Sequence, residues 1–166
     1  MGFRSGDYVV HPTYGVGSIV RLEERQLAEA EVRLYYVLAI DKGTVWVPVR
    51  SNGSTLLRAV TSKQELDQYR VLLKSRPAAL ERDYKKRRLE INERLKQGSF
   101  WVLCEVVRDL TAHGWKWRIG EGEAALLLQA CNNLSREWAA AAGMSVPEAL
   151  HEVNALLLAG REAHAS

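Results

Sequence analysis

Tyr84 is followed directly by Lys85-Lys86-Arg87-Arg88, with Arg82, Arg94 and Lys96 nearby. A second aromatic and basic alternation is Trp115-Lys116-Trp117-Arg118. Residues of these types bind rather than react: cations neutralise phosphates, and aromatic rings stack on or wedge between flat groups. Four consecutive cations on a helix wrap around it, so two or three phosphate contacts are the realistic number. Bland alternatives stand beside these readings. Leu80, Tyr84, Ile91 and Leu95 fall at spacings of four, seven and four, which equally suits a ring packed in a core. The cations can be a solvated face neutralised by Glu81, Asp83, Glu90 and Glu93, and the Trp rings can plug a helix junction.

Catalytic chemistry finds no foothold. There is no glycine-rich phosphate loop, zinc signature or nucleophile elbow. His11, His113, His151 and His164 are scattered, and His113 reads as a partner for the end of its helix. Cys104 and Cys131 lie in apolar helical stretches without a second ligand at metal spacing, so both read as small core residues. No cofactor or metal is expected, and the chain is not expected to be an enzyme.

The elements that position these residues divide in two. Residues 6–58 read as β. Tyr8-Val9-Val10 follows a Gly6-Asp7 turn, Val16 to Val20 follows a turn between Pro12 and Gly15, and Val32 to Ile40 is a longer strand. Thr44 to Val49 follows an Asp41-Lys42-Gly43 turn. Short strands joined by glycine turns predict a small, strongly bent barrel. From Thr61 the pattern is helical. A capping box at Ser62-Lys63-Gln64-Glu65 opens a helix to about Lys74, and a second runs from about Ala79 to Gln97. A third opens at Ser99 and ends near Gly114, and a fourth covers Glu121 to Ala142. A fifth opens at the Ser145-Val146-Pro147-Glu148 box and ends near Gly160. The fold class is therefore α+β: a β domain over 1–60, a helical domain over 61–160, and a frayed tail over 161–166.

The charge is uneven. The net of +3 divides into +1 over residues 1–60, +5 over 61–98 and −3 over 99–166, which makes the middle segment the plausible footprint for a polyanion such as DNA. No apolar run approaches a membrane span and no apolar leader opens the chain, so no membrane association and a cytoplasmic location are expected.

In the strand Val32–Ile40, the alternation assigns Val32, Leu34, Tyr36, Leu38 and Ile40 to the core. Arg33, Tyr35, Val37 and Ala39 face outward. In the next strand Val45, Val47 and Val49 point inward, leaving Thr44, Trp46 and Pro48 outward. Pro48 cannot donate to a ladder, which marks an edge or strand end. An outward Trp46 beside Tyr35 and Val37 is a protein-docking surface, unless a helix of the same chain covers it.

The opening Gly6-Asp7-Tyr8-Val9-Val10-His11-Pro12-Thr13-Tyr14-Gly15-Val16-Gly17 resembles that of the CarD (CdnL) family of bacterial RNA polymerase-binding regulators. It is also similar to the polymerase-interacting module of the transcription-repair coupling factor. The resemblance continues through Val47-Pro48-Val49 and Glu105-Val106-Val107-Arg108-Asp109-Leu110. It implies a Tudor-like domain that docks on the polymerase β subunit by strand pairing, with Arg25 and Trp46 at positions that contribute in the family. Arg25, Tyr35, Val37, Trp46 and Pro48 are the candidate polymerase contacts. It further implies a helical domain that touches promoter DNA just upstream of the bubble, weakly and without sequence preference, and alters open-complex stability. The family's wedge tryptophan falls on Tyr84, so Tyr84, Lys85, Lys86, Arg87 and Arg88 are the candidate DNA contacts. This chain departs from the family at the start of the fourth helix, where Ala124-Ala125-Leu126-Leu127-Leu128 stands in place of basic residues. That departure keeps open a second possibility, a helical domain that recruits another protein without binding DNA. A monomer associated with the nucleoid through polymerase is expected.

Overall fold

A computed structural model describes residues 2–26, 28–29, 31–50 and 55–165. The chain divides into two compact units, one ending at Val60 and the other beginning at Thr61.

The first unit is an antiparallel sheet of β1 (Tyr8–His11), β2 (Gly15–Arg25), β3 (Arg33–Ile40), β4 (Gly43–Pro48) and β5 (Arg58–Ala59), in the spatial order β4-β3-β2-β1-β5. β4 and β5 are its two edges, and among the described residues they do not pair with each other. The sheet is therefore open, so it matches only loosely the small, strongly bent barrel that the turn pattern predicts. Pro48 does end an edge strand, as its missing N–H requires.

One face carries the core: Val9, Ile19, Tyr36, Leu38, Val47 and Leu57, with Phe3, Ile40, Val45 and Val49 packed against them. The Tyr36 hydroxyl accepts from the Phe3 backbone N–H at 3.0 Å, which satisfies its polar end. Gly15 turns the chain at φ 74°, a backbone conformation that disfavours a Cβ. Gly17 is required for space instead: a Cβ there would lie 2.8 Å from the Ala39 carbonyl oxygen and 2.9 Å from Leu38 Cγ. The alternation placed Val32 and Leu34 in the core, yet both are exposed. β1 pairs with β2 only between Gly15 and Ser18, so the far end of the β2–β3 hairpin runs past the strands that back the core.

The second unit contains α1 (Leu66–Lys74), α2 (Tyr84–Lys96), α3 (Phe100–Lys116), α4 (Glu121–Ala142) and α5 (Val146–Ala163). α1, α3, α4 and α5 share a core built on Leu66, Leu73, Phe100, Cys104, Leu134, Trp138 and Val153. α2 packs separately, through Ile91 against Val106 and Leu110 of α3. Cys104 is buried in the main core and Cys131 lies half-buried at its margin, where burial pushes its thiol pKa up.

The helix limits follow local chemistry. Ser99 caps α3 and the Ser145/Glu148 box caps α5, as their sequences predict. α4 stops at Gly143, whose φ of 72° ends the helix in a left-handed cap. Three limits differ from expectation. α1 begins at Leu66 because the Ser62 hydroxyl accepts from the Glu65 N–H and closes a turn before the helix. α2 begins at Tyr84 rather than Ala79, because the Asp83 carboxylate takes the N–H groups of Lys85 and Lys86 at 2.9 and 3.1 Å. α5 continues through Ala163, so residues 161–163 are helical rather than frayed; Ser166 lies outside the described residues.

Candidate binding surfaces

The outward face of the sheet is organised by one carboxylate. The register sets Val37 opposite Trp46 on one side and Arg21 on the other, and Tyr35 opposite Pro48 and Glu23. Trp46 Nε1 donates to Glu23 Oε2 at 2.6 Å, so the indole reaches diagonally across β3. Arg21 donates to the other Glu23 oxygen at 3.1 Å, and the Arg25 guanidinium lies over the Trp46 ring at 4.9 Å. The hydrogen bond from Trp46, then that from Arg21, hold the Glu23 carboxyl below its ordinary pKa.

The structure thus brings Arg25, Tyr35, Val37, Trp46 and Pro48 onto one face, and among the described residues of this unit there is no helix to cover it. Arg25, Pro48 and Trp46 are exposed, the last at 38%. Val37 must be withdrawn as a direct contact. It is fully buried, because its neighbours across both ladders close over it. Its role is to floor the surface. Glu23 and Arg21 were missed by sequence reasoning. The available signal was that positions 21, 23 and 25 share a strand face, but an acid beside two arginines resembles any solvated edge.

In the helical unit, the basic run separates into inward and outward members. Lys85, Lys86 and Arg88 are exposed, and Tyr84 is exposed at 45%. Tyr84 is therefore not a core residue. The helix begins at Tyr84, so Leu80 shares no helical face with it. The buried face of α2 is instead carried by Arg87 and Ile91, four residues apart. Arg87 leaves the set of candidate DNA contacts. Its guanidinium is buried and pairs through both Nε and Nη2 with the fully buried Glu123 at the start of α4. Its remaining nitrogen donates to the carbonyls of Glu81 and Arg82, at 3.0 Å each. Four of the five N–H donors of the planar fork are thereby engaged and the charge is paired, which is the way a buried arginine becomes tolerable. Glu123 was not singled out from the sequence, since nothing local marks a glutamate in the first turn of a helix as buried.

A second buried carboxylate, Asp109, accepts from Arg108 at 2.8 Å, from the Ala78 backbone at 2.9 Å and from Arg94 at 3.3 Å. It ties the segment before α2 to α3. The Arg108-Asp109 pair that contributed to the resemblance is thus a packing element here.

The start of α4 carries no outward cation. Ala124, Ala125 and Leu128 are exposed instead, Leu128 at 63%. The connection between α3 and α4 does not plug a junction through Trp117, which is exposed at 49% with the Arg82 guanidinium 5.1 Å from its ring. Trp115 is half-buried beneath Arg161, at 4.7 Å. His113 serves the end of α3 through its backbone oxygen, which accepts from Trp117. Desolvation, followed by the nearby Arg87 charge, lowers its pKa. Among the described residues no cluster of three metal-binding side chains occurs, and no helix is long and apolar enough to cross a membrane.

The sheet thus carries an exposed Trp46 on its outer face, and the helical unit carries an exposed aromatic and basic run at the start of α2. Residues 3–61 match the family model of the CarD-like/TRCF RID domain, and residues 69–154 match that of the CarD C-terminal domain. The chain belongs to the CarD-like family. It is similar to the "Putative transcription factor YdeB" of Bacillus subtilis (strain 168), with 31% identity over 110 residues, covering 65% of this chain and 71% of that protein. These matches place it among transcription-related, RNA polymerase-interacting regulatory proteins.

Proposed function

We propose that this protein joins RNA polymerase to promoter DNA and changes the lifetime of the open complex. The sheet docks on the polymerase β subunit, with edge strand β4 offering its unpaired backbone groups and Arg25, Tyr35, Trp46 and Pro48 supplying the side-chain surface. The helical unit meets DNA at the upstream edge of the bubble. Tyr84 enters the minor groove there, and Lys85, Lys86 and Arg88 hold phosphates. Each contact is weak, but the first makes the second local, at high effective concentration.

The observation that carries this reading is the separation within α2. Arg87 is turned inward onto Glu123, and directly above it an aromatic ring stands in solvent among outward cations. A merely solvated helix face has no need of an exposed Tyr at its first turn. Tyr is smaller than Trp and has a polar tip. Its hydroxyl accepts from Arg88 at 2.7 Å, which keeps that cation beside the ring.

The test is the open-complex lifetime on a promoter with the full chain present. Tyr84→Ala should fold normally and shorten the lifetime, and Tyr84→Trp should maintain or extend it. Lys86→Glu combined with Arg88→Glu should remove the promoter effect without lowering the melting temperature. A folded charge-reversal variant with full promoter effect would sink the DNA role. The alternative would then stand: a helical unit that recruits a protein, for which exposed Ala124, Ala125 and Leu128 in place of cations are the supporting observation. Binding to free duplex should fall only shallowly with salt, with a slope of about −2 to −3 for two or three phosphates neutralised.

A further inference from the structure

Trp117 is the exposed aromatic that the proposed function leaves unused. It closes α3 as the C-cap residue, far in sequence from the basic run of α2. The fold nevertheless brings the two together. Arg82 stacks on the Trp117 ring at 5.1 Å, and Tyr84 follows Arg82 by two residues, so the two Cα atoms are within about 7 Å of each other. The buried Arg87–Glu123 pair fastens α2 to the start of α4, and Arg87 also binds the carbonyl of Arg82 at 3.0 Å. Arg88 lies over Gly122, where an added Cβ would stand 2.6 Å from its Nη1. The start of α2, the end of α3 and the start of α4 therefore form one corner.

The charge of that corner differs from that of the sequence segment in which Trp117 lies. Residues 99–166 are acidic overall, but residues 82–88 and 115–123 together hold seven Lys and Arg against three Asp and Glu, a net of +4. Two of the three acids are engaged internally, Asp83 as the cap of α2 and Glu123 with Arg87. What faces outward is Arg82, Lys85, Lys86, Arg88, Lys116 and Arg118, with the single acid Glu121, around two exposed rings.

From this the geometry points to Trp117, backed by Arg82, as a second aromatic site that stacks an unpaired base of single-stranded DNA beside the Tyr84 contact. The indole is half exposed, with the Arg82 guanidinium 5.1 Å from its ring and the His113 ring 6.5 Å away, so its exposed part is open to a base and a cation stands beside the stacking platform. Duplex is the wrong ligand for such a platform, since paired bases have both π-faces occupied by their neighbours. Cations flanking a stacking ring supply the backbone contacts that a single strand needs. The inference deepens the DNA reading and rests on it for the source of the strand, the opened promoter. The site itself stands on its own geometry.

The experiment titrates the full chain with a fluorescently labelled mixed-sequence 12-nucleotide DNA, with the corresponding duplex and with RNA of the same sequence, at low salt. The wild type should bind the single DNA strand more tightly than the duplex. Trp117→Ala should weaken single-strand binding roughly 5- to 100-fold, the loss usual for a stacked base, and duplex binding by less than about twofold. Trp117→Phe should retain most of the affinity, and Arg82→Glu should reproduce much of the loss if the alanine variant fails to fold. RNA bound at least as tightly as DNA, with the same Trp117 dependence, would overturn the assignment to DNA. A wild type that prefers duplex, or folded Trp117→Ala and Arg82→Glu variants with unchanged single-strand binding, would overturn the site. The two proposals fail separately. If Trp117→Ala is silent while Tyr84→Ala still shortens open-complex lifetime, only the second site falls. If Trp117→Ala loses single-strand binding while the Tyr84 and Lys86/Arg88 variants leave the promoter effect intact, the second site stands and the proposed function falls.

Discussion

Both units present an aromatic ring to solvent, but they hold it in different ways. On the sheet, Trp46 is tied by its own hydrogen bond to Glu23 and overlain by Arg25, all of it at the surface. On the helical unit, Tyr84 and Trp117 are contacted at the surface by Arg88 and Arg82, and beneath them lies the buried Arg87–Glu123 pair. Surface electrostatics in water are weak and screened, whereas a buried pair becomes costly once one partner is gone. Damage to the sheet surface should therefore cost binding with little effect on folding. Damage beneath the helical corner should cost folding first.

Glu123→Gln should have the largest effect, because it leaves the Arg87 guanidinium buried without its counter-charge. A loss of about 3–5 kcal/mol of stability is expected in urea unfolding followed by helical circular dichroism. Pairing Glu123→Leu with Arg87→Met should recover much of it. A Glu123→Gln chain as stable as wild type would erase the distinction between the units.

Next in size is Trp46→Ala, with Arg25→Glu beside it. Each should weaken binding of the full chain to the polymerase β subunit by about tenfold or more, as loss of an interface anchor does. The sheet should stay folded in both, since Trp46 lies outside its core. Calorimetric titration gives the affinity, and unchanged affinity in a folded Trp46→Ala chain would remove the sheet face from the docking model.

Tyr84→Ala should lower stability by less than about 1 kcal/mol, since a large aromatic truncation costs about 3–5 kcal/mol only when the ring is buried. Thermal unfolding of this variant beside Glu123→Gln sharpens the comparison: two positions in contact with Arg87, one expressed in binding and the other in folding.

The smallest effect concerns pH. The folded-state pKa of Glu23 is depressed by Trp46 and Arg21. Its contribution is accordingly present above the ordinary carboxylate range and lost as pH falls through the depressed value. The Trp46 indole N–H resonance should hold steady around neutrality and move only below that range. Glu23→Gln should abolish the movement without unfolding the sheet, and a resonance that titrates near neutrality would contradict the arrangement.

Much of this was legible in sequence because it is local. Capping boxes at Ser145, the Ser99 cap and the Gly143 stop depend on a few adjacent residues, and they set helix limits that the structure retains. Pro48 marked an edge strand because a missing N–H is a property of the residue itself. The outward placement of Tyr35 and Trp46 followed from strand alternation, whereas Arg25 was singled out only through the family resemblance. The same alternation misplaced Val32 and Leu34, because it assigns faces without knowing where the backing strands end.

The sequence by itself determined the α+β division, the local stops and starts, and the family, through short-range chemistry and a specific run of residues near its beginning. Tertiary structure alone decided which member of Lys85-Lys86-Arg87-Arg88 turns inward, because only packing brings Glu123 from 36 residues away to meet Arg87. It decided equally that Tyr84 is exposed and that Trp117 shares a corner with Arg82. Charge and exposure belong to surfaces, and a surface is assembled from segments whose distance along the chain carries no information about their distance in space.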